Sequence, residues 1–144
     1  MMPDFKGKRI AALDVGTKRI GYATCDEYHV AVTPRLFFDA TKEDLYERIG
    51  KQLDNDRIDV LVVGIPLSHN DEMTPMAKLI TVFVEGLRVA FSIPIIEFDE
   101  AFSTREAFVT MAVTKKAKKK RQEKRQKNIV TAKIILIKYI DDLQ

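Results

Sequence analysis

Apolar and polar positions follow two rhythms along this chain, one of period two and one of period 3.6. Three short β-like runs come first: Arg9–Leu13, Ile20–Thr24 and Val30–Phe38. Pro34 interrupts the third and predicts an edge position or a strand end. Thr41 is placed to cap a helix with Asp44 in its first turn, and Leu45, Ile49, Gln52 and Leu53 carry helical spacing to about Asp56. The run from Asp59 to Gly64 is almost continuously apolar, as a central parallel strand is when both its faces are covered. A polar loop follows from Pro66 to Glu72. From Thr74, the spacing of Ala77, Ile80, Phe83, Val84 and Leu87 predicts a second helix. Ile93–Glu100 reads as a further strand ending in acids. Ser103 or Thr104 caps a third predicted helix, with Glu106 near its start, running to about Val113. After a charged segment, a last helix is expected from Ile129 to Leu143, with its apolar stripe at 130, 134, 137 and 140–141.

The resulting order is β-β-β-α-β-α-β-α. Strands that alternate with helices need a parallel sheet, whereas three strands with short links suit an antiparallel meander. The expectation is therefore an α/β domain with a mixed sheet and helices on both faces. No internal repeat or linker breaks the chain, so residues 1–144 read as one domain.

Composition narrows the classes. An apolar content of 46% and a charged content of 31% suit a globular chain. No run of 18 apolar residues predicts a membrane span, and the N-terminal residues lack the apolar stretch of a signal peptide. Cys25 is the single cysteine, so it has no intramolecular disulfide partner and the cytoplasm is the simplest compartment. Cys25 with two distant histidines, His29 and His69, argues against a zinc site, and His69 reads as a surface loop histidine. The net charge of +3 conceals an asymmetry: residues 115–127 hold nine of the 24 basic residues and one of the 21 acidic ones. The remainder carries a net −5. An acidic body with one concentrated basic segment suits a polyanion such as nucleic acid, with a solvated loop as the plainer alternative.

The candidate chemistry starts at Asp14, which follows the apolar run Ile10–Leu13. A carboxylate at the end of a buried strand is costly unless something compensates it, and a metal ion is a usual compensation. Cleavage of a phosphodiester by two divalent ions needs clustered carboxylates. Glu100, at the end of the last strand, is the second candidate, because parallel strands ending at one sheet edge bring distant acids together. Asp99, its neighbour, points to the opposite side of a strand and cannot serve the same site without a bend. The plainer readings are an Asx turn for Asp14 and a helix N-terminal charge for Glu100.

Here a resemblance enters. Asp14-Val15-Gly16-Thr17-Lys18-Arg19-Ile20-Gly21, Val62-Val63-Gly64-Ile65-Pro66-Leu67, Phe98-Asp99-Glu100-Ala101-Phe102-Ser103-Thr104 and the final Tyr139-Ile140-Asp141 resemble, in order, the blocks of the YqgF/RuvX family. Members of that family are described as Holliday-junction-resolvase-like proteins or pre-16S rRNA nucleases. The resemblance implies a ribonuclease H-like fold and a hydrolase that cleaves phosphodiester bonds, with Mg²⁺ or Mn²⁺ as cofactor and processing of the 5′ end of pre-16S rRNA as its role. It implies Asp14 and Glu100 as metal ligands, with the third acidic position falling on Asn128. The family's usual arginine after the glutamate is Ala101 here. Asparagine keeps the shape of aspartate and one carbonyl oxygen but not the charge. The site then holds two carboxylates where the family has three, and neither Glu123 nor Asp141 is well placed to substitute.

Phosphate contacts are expected from Thr17, Lys18 and Arg19 beside the acid, and from Lys115, Lys116, Lys118, Lys119, Lys120, Arg121, Lys124 and Arg125 in the basic segment. The expected partners are structured RNA or branched DNA, with no membrane. A junction substrate would add a second copy of the chain, because resolution needs two concerted cuts. The competing readings are a Holliday junction endonuclease and a family member that binds nucleic acid with weakened catalysis. An actin-like ATPase also begins with Asp-x-Gly-Thr, but it needs two lobes and a second Asp-x-Gly loop, and Asp14-Val15-Gly16 is the only such tripeptide.

Overall fold

The computed structural model describes residues 5–66, 74–99 and 131–141. Within them, β1 (Ile10–Val15), β2 (Arg19–Cys25) and β3 (Val32–Asp39) form the expected meander. Then come α1 (Leu45–Asn55), β4 (Val60–Ile65), α2 (Pro75–Ala90) and β5 (Ile95–Asp99), and residues 131–141 are helical. The sheet order is β3-β2-β1-β4-β5; β1, β4 and β5 run parallel, and β2 is antiparallel to both its neighbours.

Residue type accounts for each strand's place. All six residues of β4 are buried, as its near-continuous Val/Leu/Ile run requires between two covered faces. β3 lies at the edge, where Pro34 costs no ladder bond, and the register slips between Tyr22 and Ala23. Alternation along β1 feeds two cores. Ala11 and Leu13 join Ile20, Tyr22, Leu61 and Val63 under α1 and α2, while Ile10 and Ala12 join Ala23, Val60 and Val62 under the 131–141 helix. Helices thus cover both faces. Each large aliphatic side chain fully buried in this way contributes about 1.5–3 kcal/mol.

The local devices differ in part from expectation. Thr74 caps α2, its hydroxyl accepting from the Ala77 amide at 3.0 Å, with Pro75 in the first turn where its missing N–H costs nothing. Thr41 does not cap α1. Asp44 occupies the cap position without a side-chain cap bond, and the Thr41 hydroxyl and amide instead donate to Asp39. The stripe expected at 130, 134, 137 and 140–141 is also displaced. The 131–141 helix buries Ala132, Ile135, Leu136, Tyr139 and Ile140, and Ile137 is exposed. With isoleucine at 129, 134, 135, 137 and 140, several rotations of that helix are nearly as apolar, and the sheet face selects among them. The helix expected over 103–113 lies outside the described residues.

At the end of the sheet remote from the β1–β2 turn, Asp56 ties three elements together. Its Oδ2 accepts from the Tyr22 hydroxyl at 2.7 Å and from Gln52 Nε2 at 2.9 Å, and its carbonyl accepts from Arg9 Nε at 2.9 Å. That closure leaves the opposite edge, where β1, β4 and β5 all end, for a site.

Candidate functional site

In open α/β sheets, ligands gather beyond the carboxyl ends of the parallel strands. Three strand ends meet there in this fold: Val15 of β1, Ile65 of β4 and Asp99 of β5. Asp14 lies inside the β1 ladder opposite Gly21, so it belongs to the sheet and not to the turn. The turn is closed by the Gly16 amide donating to the Arg19 carbonyl at 2.8 Å. Asp14 is half-buried, and strand alternation puts it on the face of Ala12, the one covered by the 131–141 helix.

The neighbouring strands fix what Asp14 can meet. Leu13 pairs with Val63, and Gly64 pairs with Phe98, so Asp14 and Phe98 share a level two strands apart, roughly 10 Å. Ile96 and Phe98 pack on the same face as Asp14, and Phe98 meets Tyr139 of the 131–141 helix edge to face at 5.7 Å between ring centroids. Asp99, in register with Ile65, alternates to the opposite face. This separation of Asp99 from the Asp14 face is what the strand rule predicts.

The turn residues flank this edge. Thr17 and Lys18 are exposed, Arg19 is half-buried, and the Lys18 carbonyl is pinned by the Ala40 amide at 2.9 Å. At the end of β4, the Pro66 carbonyl accepts from the Thr74 hydroxyl at 3.2 Å, which anchors the start of α2 to the same edge. Asp39, paired with Arg19 across the ladder, is held below the usual carboxylate range by hydrogen bonds from the Thr41 hydroxyl and amide, and stays anionic.

Asp14, Thr17, Lys18 and Arg19 are therefore brought to one edge. Glu100, Asn128, His69 and the basic residues from Lys115 to Arg125 lie outside the described residues. Among the described residues, no group of three or more His, Cys, Asp and Glu side chains could hold a metal ion. The donor chemistry of Asp14, hard carboxylate oxygens, suits Mg²⁺ or Mn²⁺. Sequence reading misses one residue of this edge. Phe37 on β3 pairs with Gly21, and the Arg19 guanidinium lies over its ring, 5.7 Å from the centroid. Only cross-strand register brings positions 19 and 37 together.

The sequence pattern of a known family, described as RuvX, Holliday junction resolvase, matches residues 8–142. The chain belongs to that family. A relative from Chlorobaculum tepidum is 38% identical over 135 residues, spanning 93% of this chain and 94% of its own length. One from a Sulfurihydrogenibium species is 36% identical over 137 residues, spanning 94% and 91%. Both are named, provisionally, as pre-16S rRNA nucleases. Solved structures extend the likeness to the fold. A Thermus thermophilus RuvC bound to a Holliday junction substrate matches with a TM-score of 0.58 at 10% identity, over 92% of each chain. The fowlpox virus resolvase, also solved with junction DNA, matches with a TM-score of 0.57 at 16% identity, over 94% of this chain and 98% of its own. The family's chain thus has the ribonuclease H-like fold that its strand order implies, with a mixed five-stranded sheet between helices. No helix among the described residues is long and apolar enough to cross a membrane.

Proposed function

We propose that this chain, as one ribonuclease H-like domain, is a metal-dependent endonuclease that hydrolyses phosphodiester bonds in structured nucleic acid, with the 5′ region of pre-16S rRNA as its substrate. The observation that carries the reading is Asp14, a carboxylate held within the β1 ladder at the edge where β1, β4 and β5 end. A binding module gains nothing from a half-buried acid at that position, whereas metal-assisted hydrolysis needs one. The relatives' names support RNA as the target.

In this reading Asp14 and Glu100 hold Mg²⁺ or Mn²⁺, which when bound activates water and neutralises charge on the leaving oxygen. Asn128 occupies the third ligand position with a carbonyl oxygen. Thr17 and Lys18, exposed on the turn, and Arg19 hold the phosphate backbone in register beside Asp14, while the basic segment supplies affinity without sequence preference. The junction complexes of the structural relatives favour branched DNA as the second reading.

One assay separates the two. Purified chain is offered pre-16S rRNA fragments and four-way DNA junctions side by side, with Mg²⁺ and with Mn²⁺. RNA cleavage that disappears in Asp14→Asn is the expected result, with Mn²⁺ the better cofactor because a charge-poor site serves Mg²⁺ badly. Cleavage of the junction alone would move the substrate to DNA. Cleavage undiminished in Asp14→Asn would remove the proposed site.

A further inference from the structure

Cross-strand pairing lines up Asp14 of β1, Gly21 of β2 and Phe37 of β3 in one row on one face of the sheet. Directly paired residues share a face, so Phe37 lies on the same side as Asp14, two strand spacings or roughly 10 Å away. The middle position of the row, Gly21, carries no side chain. Phe37 keeps 38% of its surface exposed although it is a large apolar residue on an edge strand. Arg19, diagonal to it across β2 and β3, places its guanidinium over the ring. A planar cation stacked on an exposed aromatic, with Lys18 exposed on the adjoining turn, combines a π-surface with positive charge.

Packing does not explain this pair. Phe38, the next residue, is buried with Ile20 and Tyr22, and its ring meets Tyr22 edge to face at 5.6 Å. Phe37 belongs to neither core cluster. Its surroundings are those of a residue that meets a flat, partly apolar and anionic ligand, which is the chemistry of an unpaired nucleotide.

We infer that Phe37 and Arg19 form a stacking platform for an unpaired base next to the scissile phosphate. The inference rests on the nuclease reading of Asp14 for its position relative to the cut. The phosphate lies by Asp14 and Lys18, the strand runs across the Gly21 position, and the following base stacks on Phe37 with Arg19 contacting its phosphate. A base inside a duplex has both faces occupied, so the platform selects single-stranded or splayed segments.

The test uses the full chain in EDTA with a single-stranded RNA carrying 2-aminopurine, whose fluorescence is quenched on stacking, and a fully paired duplex as control. The wild type should quench the probe. Phe37→Leu should abolish the quench and bind the single strand roughly tenfold more weakly, with duplex affinity unchanged. Phe37→Tyr should retain both, which separates stacking from bulk. Arg19→Gln should lower the salt dependence of binding by the equivalent of about one phosphate. Single-strand affinity and quench unchanged in Phe37→Leu would overturn the platform. Cleavage assays with Mn²⁺ on the same RNA test the other half separately. A chain that quenches through Phe37 but never cuts keeps the platform and removes the nuclease reading, and one that cuts yet ignores Phe37 does the reverse.

Discussion

In the nuclease reading proposed above, Asn128 is the residue on which activity is expected to turn. A hard divalent ion is held mainly by carboxylate charge, so in that reading an amide at the third ligand position would weaken the hold on one ion without altering shape. Asn128→Asp should tighten metal binding, measured by titration calorimetry, and raise cleavage by about tenfold, since ~1.4 kcal/mol of extra stabilisation of the transition state gives that factor. Asp14→Asn in the same background should abolish the gain. Cys25 marks the opposite extreme, a residue with chemistry it cannot use. It is 2% exposed in the core beneath the 131–141 helix, and burial pushes its thiol up to about 11. The folded thiol thus binds its proton more tightly than the unfolded one. The stability it contributes is complete below the unfolded thiol's pKa of about 8.5 and falls as pH rises from there towards 11. At pH 8 a thiol reagent should modify the denatured chain quickly and the folded chain only at the rate of opening, which mass spectrometry of timed samples would measure.

Among the elements, the tie between β2 and α1 is the one whose removal is easiest to read. Tyr22 is fully buried, and burial together with its hydrogen bond to Asp56 raises its hydroxyl well above the usual range, so it remains a donor. Tyr22→Phe removes that donor and leaves the Asp56 carboxylate with Gln52. We expect a destabilisation of about 1–3 kcal/mol, seen as a lower urea midpoint at unchanged m-value. Cleavage should persist wherever the variant is folded, because Tyr22 points into the core under α1 and α2, on the face of the sheet opposite to Asp14. The strands themselves are readable because period-two and continuous apolar runs have few alternative placements: the apolar run predicts β4 at 59–64, and the strand is Val60–Ile65. The start of α1 is not readable. Thr41 is a good cap in isolation, but Asp39 at the end of β3 takes its hydroxyl and amide first, and the helix begins at Leu45.

For the molecule as a whole, charge distribution sets the expected mode of binding. The basic segment concentrates positive charge on a chain that is otherwise net negative, so it should supply most of the affinity that is independent of sequence. Replacing Lys118, Lys119, Lys120 and Arg121 by Ala should weaken binding to duplex DNA and flatten its salt dependence. The log–log slope should fall by up to about 0.9 for each phosphate that is no longer neutralised, as fluorescence anisotropy across a salt series would show. An unchanged slope would leave the segment as a solvated loop. The same variant should retain the quench at Phe37, because that stacking surface belongs to β3 and not to the segment.

The order of elements, the central burial of β4, the edge position of β3 and the place of Asp14 at the end of a buried run follow from the sequence itself. Each is a local property, set by hydrophobic period, by the missing N–H of Pro34 or by the cost of an acid beside a buried run. The row that joins Asp14 to Phe37 through Gly21, the stacking of Arg19 on Phe37, and the face presented by the 131–141 helix are decided only by tertiary structure. They depend on cross-strand register and on which of several apolar stripes meets the sheet. Register couples residues that are distant in sequence, and a one-residue slip would move Phe37 to the opposite face and Phe38 out of the core. Burial of Phe38 with Ile20 and Tyr22 fixes that register, and Phe37 is left on the face of Asp14 as its consequence.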